Sequence, residues 1–262
     1  MFGGTGLQLG GDKSIVLASP SADVRHGRSI PWPERCFDLC VTIVLLPVLA
    51  LIAAAIAIAI YVDSPGPVIY RSLRVGHDGE PFEMLKFRKM RREAPSHPVT
   101  LEDDERFTPI GRFLAATRLD ELPQVLNVLQ GRMRLVGPRP ELECFVTEFA
   151  DEYAEILSVT PGVTGNAQLR FVDEKSLLSG PHPESAYTSH VLPAKIEIDL
   201  DYVRHHTLAS DLSILARTAT LPAALLWTRL RGRSNILRSW GPPAVCATLL
   251  AFVFILVSSH LP

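Results

Sequence analysis

The chain has 262 residues, 47% of them apolar, and a formal net charge of −2, which leaves room for one ordinary domain with extensions or for two small ones. The apolar residues are concentrated in two stretches, so the average composition does not describe a uniformly soluble protein. Four cysteines form no CxxC pair and have no histidine at zinc-finger spacing, which argues against a structural metal site and a disulfide framework. Residues 1–32 lack the features of a secretory signal and are predicted to form a disordered N-terminal arm.

The first apolar stretch, residues 40–62, reads "CVTIVLLPVLALIAAAIAIAIYV" and carries no charge. A straight helix of that length would be roughly 34 Å long, enough to cross a hydrocarbon core of about 30 Å. Pro47 lies inside it, where it removes a backbone hydrogen bond and predicts a kink. The segment alone is compatible with a kinked spanning helix or with a re-entrant hairpin that leaves the membrane on the side it entered.

Basic residues flank this stretch on both sides. The positive-inside rule draws both ends towards the cytoplasm, which a hairpin satisfies and a spanning helix does not. These residues are Arg25, Arg28 and Arg35 before the stretch and Arg71, Arg74, Lys86, Arg88, Lys89, Arg91 and Arg92 after it. The second apolar stretch, residues 244–257, follows Trp240 and is marginal for a full span. It is interpreted as a short anchor, with a buried or interfacial helix as the alternative.

The region between the two apolar stretches begins with two strand-like segments. "GPVIYRSLRVG" and "EPFEMLKFRKM" alternate apolar and polar residues, and "HDG" between them is typical of a turn. Together they predict a β-hairpin. Helical patterns follow, with one helix start at Thr108 before Pro109 and a second start at Asp120.

The second helix start carries two adjacent acids in "RLDELPQVLNVLQG", residues 118–131. One interpretation makes Asp120 the N-cap of a helix that buries leucines and valines and ends at Gly131, with Glu121 in its first turn. Such capping contributes about 0.5–2 kcal/mol. The other makes Asp120 a nucleophile, because a helix N-terminus keeps a carboxylate ionised and holds a phosphate beside it. Attack on phosphorus would form an aspartyl phosphate.

Basic residues near these acids favour phosphoryl chemistry, which requires cations around the transferring group. Arg139 lies between two prolines that restrict its backbone, and Lys86 and Arg88 share one face of a predicted strand. Glu121 is the candidate ligand of Mg²⁺, which binds one or two carboxylates together with phosphate oxygens. The alternative for the basic residues is a solvated or lipid-binding surface. "TPGVTGNAQLR", residues 160–170, is either a structural turn or a loop whose backbone amides approach a nucleotide.

Taken together and in order, these segments resemble the bacterial sugar transferase family of monotopic polyprenyl-phosphate phosphoglycosyl transferases. The resemblance covers the chain from about residue 33 to about residue 231. Its pieces are the proline-interrupted apolar segment, the hairpin sequence ending in "KFRKM", "RLDELPQVLNVLQG", "LVGPRPE", "TPGVTGNAQLR" and "DLDYVRHHTLASDLSILARTA".

The resemblance implies an α+β, mostly helical and membrane-associated fold. A re-entrant helix-break-helix occupies residues 33–64, with Pro47 as its break. The catalytic domain occupies residues 65–231 and combines a small β-hairpin with amphipathic interfacial helices around a cytoplasmic-facing active site. Residues 232–262 form a linker and a C-terminal hydrophobic segment. The protein is expected in the bacterial inner membrane.

The resemblance also implies a reaction, the transfer of a sugar-1-phosphate from a UDP-sugar to undecaprenyl phosphate with release of UMP. This is the first membrane step of exopolysaccharide or glycoconjugate synthesis. By a ping-pong mechanism, Asp120 would carry the phosphosugar while Glu121 binds Mg²⁺. The substrate phosphates would be contacted by Lys86, Arg88, Arg112, Arg118 and Arg139. Membrane lipids and downstream glycosyltransferases are expected partners, a homodimer is allowed, and no nucleic acid is expected.

The chain departs from the family pattern in three places. Ala115 stands where members often carry a basic residue, for which Arg112 or Arg118 is expected to compensate. Leu46 precedes Pro47 where many members have Ser, and the C-terminal apolar run is an addition. Two other functions stay open, a membrane-anchored phosphohydrolase that uses the same aspartate and an inert membrane scaffold. Sugar specificity is assigned to residues 170–193, whose sequence does not identify the sugar.

Overall fold

The computed structural model describes residues 30–91, 104–178 and 183–231. The predicted N-terminal arm therefore lies almost entirely outside the described residues. The linker and C-terminal apolar segment, 232–262, lie wholly outside them, and the proposed specificity segment is described only in part.

Helices make up most of the described chain, which confirms the expected α+β, mostly helical class. The helices are α1 (Trp32–Asp63), α2 (Pro109–Thr117), α3 (Gln124–Leu129), α4 (Glu143–Glu148), α5 (Ala150–Ile156), α6 (Asn166–Arg170), α7 (Glu174–Leu177), α8 (Pro183–Ala186), α9 (Leu192–His205) and α10 (Leu208–Arg231). The strands are β1 (Ile69–Val75), β2 (Pro81–Phe87), β3 (Arg134–Val136) and β4 (Gly162–Thr164), arranged as two sheets of two strands.

The predicted β-hairpin is confirmed. Strands β1 and β2 are antiparallel, with Ile69 opposite Phe87 and Val75 opposite Pro81. The connection is a 3₁₀ turn over His77–Gly79. On the buried side of the hairpin, Met84 joins a hydrophobic cluster that includes Val128 and Met133. The hairpin is therefore anchored to α3 and to the chain that precedes β3.

The second sheet pairs two short parallel strands, with Arg134 opposite Gly162 and Val136 opposite Thr164. A Cβ atom added to Gly162 would lie 2.0 Å from the backbone nitrogen of Gly137, so only glycine permits this approach. The contact brings the loop after β3 against the "TPGVTG" segment. Residues 166–170 of that segment form a helix, α6.

Helix α1 is long and apolar enough to cross a membrane, judged by length and composition. Helical structure continues on both sides of Pro47, the residue at which the break was predicted. Proline removes a single helical hydrogen bond, and the neighbouring turns stay helical on both sides. Its middle is exposed, whereas Asp38 and Thr42 near its start and Ile56 and Ile60 near its end are buried.

Both ends of α1 are bonded to or packed against the same polar domain. At the start, the Arg35 guanidinium donates to the carbonyl oxygens of Val128 at 2.6 Å and Leu129 at 3.0 Å. At the end, Ile56 and Ile60 share a hydrophobic cluster with Phe87 and Leu114. The apolar middle of the helix is thus the part that the domain leaves uncovered.

Candidate active site

The two acids do not cap a helix. Arg118 adopts a left-handed backbone conformation (φ 62°, ψ 12°) that ends α2, and Leu119–Glu121 then forms a separate 3₁₀ turn. Helix α3 starts only at Gln124, and no side chain caps its N-terminus. The prediction that Asp120 is an N-cap is therefore wrong.

Helix α3 also differs from its predicted packing. It ends at Leu129 with Gln130 as its C-cap, and Gly131 follows at a positive φ of 78°, as expected of the glycine that closes a helix, but the buried residues are Gln124, Asn127 and Val128. Leu126, which was expected on the buried face, is exposed. The amide of Gln124 is completely buried and has no hydrogen-bond partner in the described part of the chain. Helix α3 thus buries polar groups next to the acidic turn.

Asp120 is buried, with 2% of its surface exposed, and it is paired with a single cation. The Lys89 ammonium donates to Oδ2 of Asp120 at 2.9 Å. Lys89 is fixed by close packing, because a Cβ on Gly111 of α2 would lie 1.9 Å from the Lys89 carbonyl oxygen. Lys89 was not among the predicted site residues. Its signal in the sequence was only its place in the basic "KFRKM" run.

Glu121 lies in a ring of three cations. Arg139 forms a two-pronged contact with it, from Nη1 to Oε2 at 3.2 Å and from Nη2 to Oε1 at 2.5 Å. Lys86 Nζ lies 3.9 Å and Arg118 Nη1 3.8 Å from Oε1. Burial raises the pKa of Glu121, but these positive charges, led by Arg139, outweigh burial and hold the pKa well below its ordinary value. Glu121 is therefore ionised throughout the physiological range.

The charge of the ring also shifts the pKa values of the basic residues. Burial lowers the pKa of Lys86 well below its ordinary value, and the neighbouring Arg139 lowers it further. Burial also acts to lower the pKa of Arg139, but its contact with Glu121 outweighs burial and raises that pKa. With Lys86 protonated, counting Lys86, Lys89, Arg118 and Arg139 against the two carboxylates gives a local net charge of +4 − 2 = +2, and with Lys86 neutral the net charge is +1. The site is therefore set up to receive an anion.

The scaffold around the cations depends on one buried amide. Asn127 accepts a hydrogen bond from the backbone N–H of Leu85 at 3.0 Å and donates to the carbonyl oxygen of Glu83 at 2.8 Å. These two bonds join α3 to β2, the strand that carries Lys86. The amide therefore fixes the distance between Lys86 and the acidic turn.

The predicted phosphate-binding residues divide into two groups. Lys86, Arg118 and Arg139 meet at Glu121, and Arg118, three residues beyond Ala115, supplies charge from the acidic segment itself. The other two make no described contact with the acids. Arg88 donates to the carbonyl oxygen of Ser64, just beyond the end of α1. Arg112 is exposed on α2.

A small polar cavity of about 20 Å³ adjoins this charge cluster and opens into a wider space of about 360 Å³ that includes solvent. Its walls come from the loop after β3 and from α5, α6, α7 and α9, with Arg118 and Arg139 on the side of the acids. The lining residues are Arg118, Arg139, Glu141, Tyr153, Ala167, Gln168, Phe171, Glu174, Leu192, Lys195 and Asp199. Sequence analysis named only the two arginines among them as site residues, and Phe171, Glu174 and Leu192 lie in the segment 170–193 to which it assigned sugar specificity.

Comparison with known families gives a match over most of the chain. A model of the family described as bacterial sugar transferase matches residues 31–223. That range contains α1, both sheets, the acidic turn and the polar cavity.

Several characterised or named proteins are similar over the same region. A UDP-glucose:undecaprenyl-phosphate glucose-1-phosphate transferase of Caulobacter vibrioides is 37% identical, over 81% of this chain and 77% of that protein. A UDP-N-acetylgalactosamine-undecaprenyl-phosphate N-acetylgalactosaminephosphotransferase of Aeromonas hydrophila is 33% identical, over 73% of this chain and 45% of that protein. The exopolysaccharide production protein PSS of Rhizobium leguminosarum is 35% identical, over 71% of this chain and 92% of that protein. The similar proteins thus differ in length and in the sugar that their names specify.

Proposed function

The chain belongs to the bacterial sugar transferase family, and we propose that it transfers a sugar-1-phosphate from a UDP-sugar to undecaprenyl phosphate, releasing UMP. The names of the similar proteins support this reaction, as they specify undecaprenyl phosphate and a UDP-sugar. The observation that carries the proposal is the pair of adjacent carboxylates surrounded by Lys86, Lys89 and two arginines. A site with net positive charge next to a buried carboxylate matches the needs of a diphosphate substrate.

In the first step, the carboxylate of Asp120 attacks the β-phosphorus of the donor. The new bond joins aspartate oxygen to phosphorus, the bond from phosphorus to the bridging oxygen breaks, and UMP leaves with that oxygen. Lys89 holds Oδ2 of Asp120, and no hydrogen bond to Oδ1 is made within the described part of the chain, which supports Oδ1 as the attacking atom. The cations offset the repulsion between the anionic nucleophile and the phosphates.

In the second step, a phosphate oxygen of undecaprenyl phosphate attacks the same phosphorus. The bond to Asp120 breaks, the carboxylate is restored, and the sugar leaves on the lipid as a diphosphate ester. The order of events is ping-pong, because UMP departs before the lipid reacts. The acidic turn does not serve as a helix cap, which removes the main structural explanation for the two acids in an inert scaffold.

Glu121 is the proposed Mg²⁺ ligand. Mg²⁺ takes one or two carboxylates and fills its remaining positions with phosphate oxygens and water. Glu121 is ionised and adjacent to Asp120, but both of its oxygens are bonded to Arg139 and the described residues contain no group of three or more metal-binding side chains, so substrate phosphate oxygens would supply most of the ligands. A bound Mg²⁺ would offset charge on the leaving phosphate. Glu121 bound to Mg²⁺ would release part of its contact with Arg139, whose guanidinium is then free to bind a phosphate oxygen.

We further propose that α1 is re-entrant and that the domain faces the cytoplasm. Both ends of α1 contact one polar domain, through Arg35 at the start and Ile60 at the end. A spanning helix would place these ends on opposite sides of the membrane, where one domain could not reach both. The basic residues on each flank favour the cytoplasmic side. The exposed apolar middle, which contains Pro47, is the part to be covered by lipid.

The reaction is tested by incubating purified full-length protein with Mg²⁺ and a panel of UDP-sugars, without lipid, and analysing it by intact and peptide mass spectrometry. A phosphosugar adduct is expected on the Asp120 peptide, absent in Asp120→Asn and discharged by undecaprenyl phosphate. Asp151→Asn, an exposed acid of α5, is the matched control and should retain the adduct. An adduct that water discharges as fast as the lipid does would indicate a phosphohydrolase. UMP release that persists in Asp120→Asn would refute the role of Asp120.

A further inference from the structure

The polar cavity contains side chains that the protein itself leaves without partners. Asp199 of α9 is 7% exposed, and its carboxyl group makes no hydrogen bond to any described residue. Both polar atoms of the Gln168 amide are buried and also lack a partner among the described residues. Buried polar groups are normally paired, and leaving one unpaired costs about 1–3 kcal/mol. The Gln168 amide is such a group, and the Asp199 carboxyl, whose oxygens reach solvent, adds a second polar group without a hydrogen bond to the described residues; lining one cavity, they indicate a polar ligand.

The rest of the cavity is fixed in place by its own contacts. Glu141 accepts from the Tyr187 hydroxyl at 3.0 Å and pairs with Arg74 at 3.2 Å. Lys195 pairs with Glu174 at 2.7 Å. These residues have their partners inside the protein, so the cavity is a rigid frame around Asp199 and Gln168. Burial raises the pKa of Asp199 to about 8, with a further contribution from Glu141, so its carboxyl group is largely protonated at neutral pH.

The position of the cavity identifies which part of a substrate it would receive. Arg118 and Arg139 belong both to the cavity wall and to the ring of cations around Glu121. A donor whose diphosphate lies at that ring would therefore extend one of its two ends into the cavity. The two ends are a nucleoside with a flat base and a sugar with several hydroxyl groups.

We propose that the cavity is the sugar subsite of the donor, in which Asp199 and Gln168 hydrogen-bond the hydroxyl groups of the hexose. This inference rests on the proposed function and names the residues that determine its sugar preference. A protonated carboxyl and an amide both contain donors and acceptors, which matches hydroxyl groups that both donate and accept. The carboxylates of Glu141 and Glu174 add acceptors, and Phe171 supplies one apolar wall. Tyr153 and Leu192 also line the cavity, so a uracil base is the competing occupant, and the charged and polar side chains of the lining are what favour a sugar.

The subsite is tested first by binding, so that turnover is not required. The protein is the full chain carrying Asp120→Asn, and the ligands are UMP and UDP-hexoses compared by isothermal titration. UDP is added as a third ligand, because it carries both phosphates and no sugar. Gln168→Met or Asp199→Leu should weaken UDP-glucose binding about 10-fold without changing the affinity for UMP or UDP. Asp199→Asn, which keeps a donor and an acceptor, should retain most of the UDP-glucose affinity. Asp201→Asn, an exposed acid on the same helix, is the matched control.

The second test uses donors that lack one hydroxyl group. In the protein with Asp120 intact, removal of the hydroxyl that contacts Gln168 is expected to lower kcat/KM about 10- to 100-fold, and the same removal should have almost no effect in Gln168→Met. The proposal would be overturned if, for every deoxy donor, removal of the hydroxyl lowered kcat/KM by the same factor in Gln168→Met as in the wild type. A fall in UMP affinity in either cavity variant would instead assign the cavity to the nucleoside. If neither UMP nor any UDP-sugar bound, the proposed function itself would fail, which is a different result from equal binding of UMP and UDP-hexose.

Discussion

Removing the two partners of the Glu121–Arg139 pair one at a time should have unequal effects on stability. With Lys86 protonated, the acidic turn carries a local net charge of +2, so Glu121→Gln raises it to +3, whereas Arg139→Gln lowers it to +1. Glu121→Gln leaves three cations without their shared carboxylate. Arg139→Gln leaves Glu121 with Lys86 and Arg118 still within 4 Å. Loss of the carboxylate should therefore destabilise the fold more than loss of the guanidinium.

The magnitudes follow from the burial of the pair. The side chains of Glu121 and Arg139 are only 14% and 17% exposed, so water screens their contact weakly. Breaking a buried pair from one side costs about 3–5 kcal/mol, which we expect for Glu121→Gln. Relief of repulsion with Lys86 should limit the cost of Arg139→Gln to about 1–3 kcal/mol. In the double variant the two amides face each other. Its loss in the free energy of unfolding should be smaller than the sum of the two single-variant losses by about 2 kcal/mol.

The assay is urea unfolding of the full-length protein in detergent micelles, followed by tryptophan fluorescence for wild type, both single variants and the double variant. Arg132→Gln, whose guanidinium is 56% exposed and pairs with an exposed Glu80, is the matched control and should change the free energy of unfolding by less than about 0.5 kcal/mol. Phosphate or UMP should recover more stability in Glu121→Gln than in wild type, because the extra positive charge attracts the anion. Equal losses in the two single variants, or losses that add, would refute the argument from net charge.

Three further changes test other parts of the site. Lys89→Met should slow adduct formation on Asp120 about 100-fold in single-turnover mass spectrometry while Lys89→Arg retains most of it, because the cation offsets charge during attack; equal rates for both variants would contradict this role. Asn127→Ala should lower the free energy of unfolding by about 2–3 kcal/mol in urea titration, because two partly buried backbone groups of β2 lose their partner, and an unchanged midpoint would show that water replaces the amide. The pKa of Asp199, raised by burial to about 8, means that its contribution to stability is fully present below pH 3.8 and is lost as pH rises through about 8. Between these pH values the free energy of unfolding of the wild type should fall by up to about 1.4 kcal/mol more per pH unit than that of Asp199→Asn. The measurement is urea unfolding from pH 5 to 8.5. Parallel curves of unfolding free energy against pH would indicate that Asp199 has an ordinary carboxyl pKa.

Local patterns predicted the parts of the fold that local interactions determine. The β-hairpin was predicted from its alternating residues and its turn, and the start of α2 from Thr108 before Pro109. Thr108 does accept a hydrogen bond from the Gly111 N–H, at 3.0 Å. The start of α3 was misplaced, because Pro123 and the acids also match a helix start. Instead, the left-handed backbone of Arg118 precedes a separate 3₁₀ turn, in which Asp120 contacts Lys89.

The site was predicted only where residues belong to recognisable segments. Lys86, Arg118 and Arg139 were identified with the two acids and do meet at Glu121. Lys89 was missed, because its position depends on how closely Gly111 lets α2 approach the end of the hairpin. Gln168 and Asp199 are 31 positions apart by number and meet only because α6 and α9 pack together. A single sequence gives no indication of such a contact.

The geometry of the 3₁₀ turn explains why the two acids are adjacent. A 3₁₀ turn has three residues per turn, so successive side chains point about 120° apart. Asp120 is thereby directed to Lys89 on one side and Glu121 to Arg139 on the other. Had both residues lain in the first turn of an α-helix, free backbone N–H groups would compete for their oxygens. The turn instead leaves one carboxylate with a single cation and surrounds the other with three, so neighbouring residues of like charge can take separate roles in one reaction.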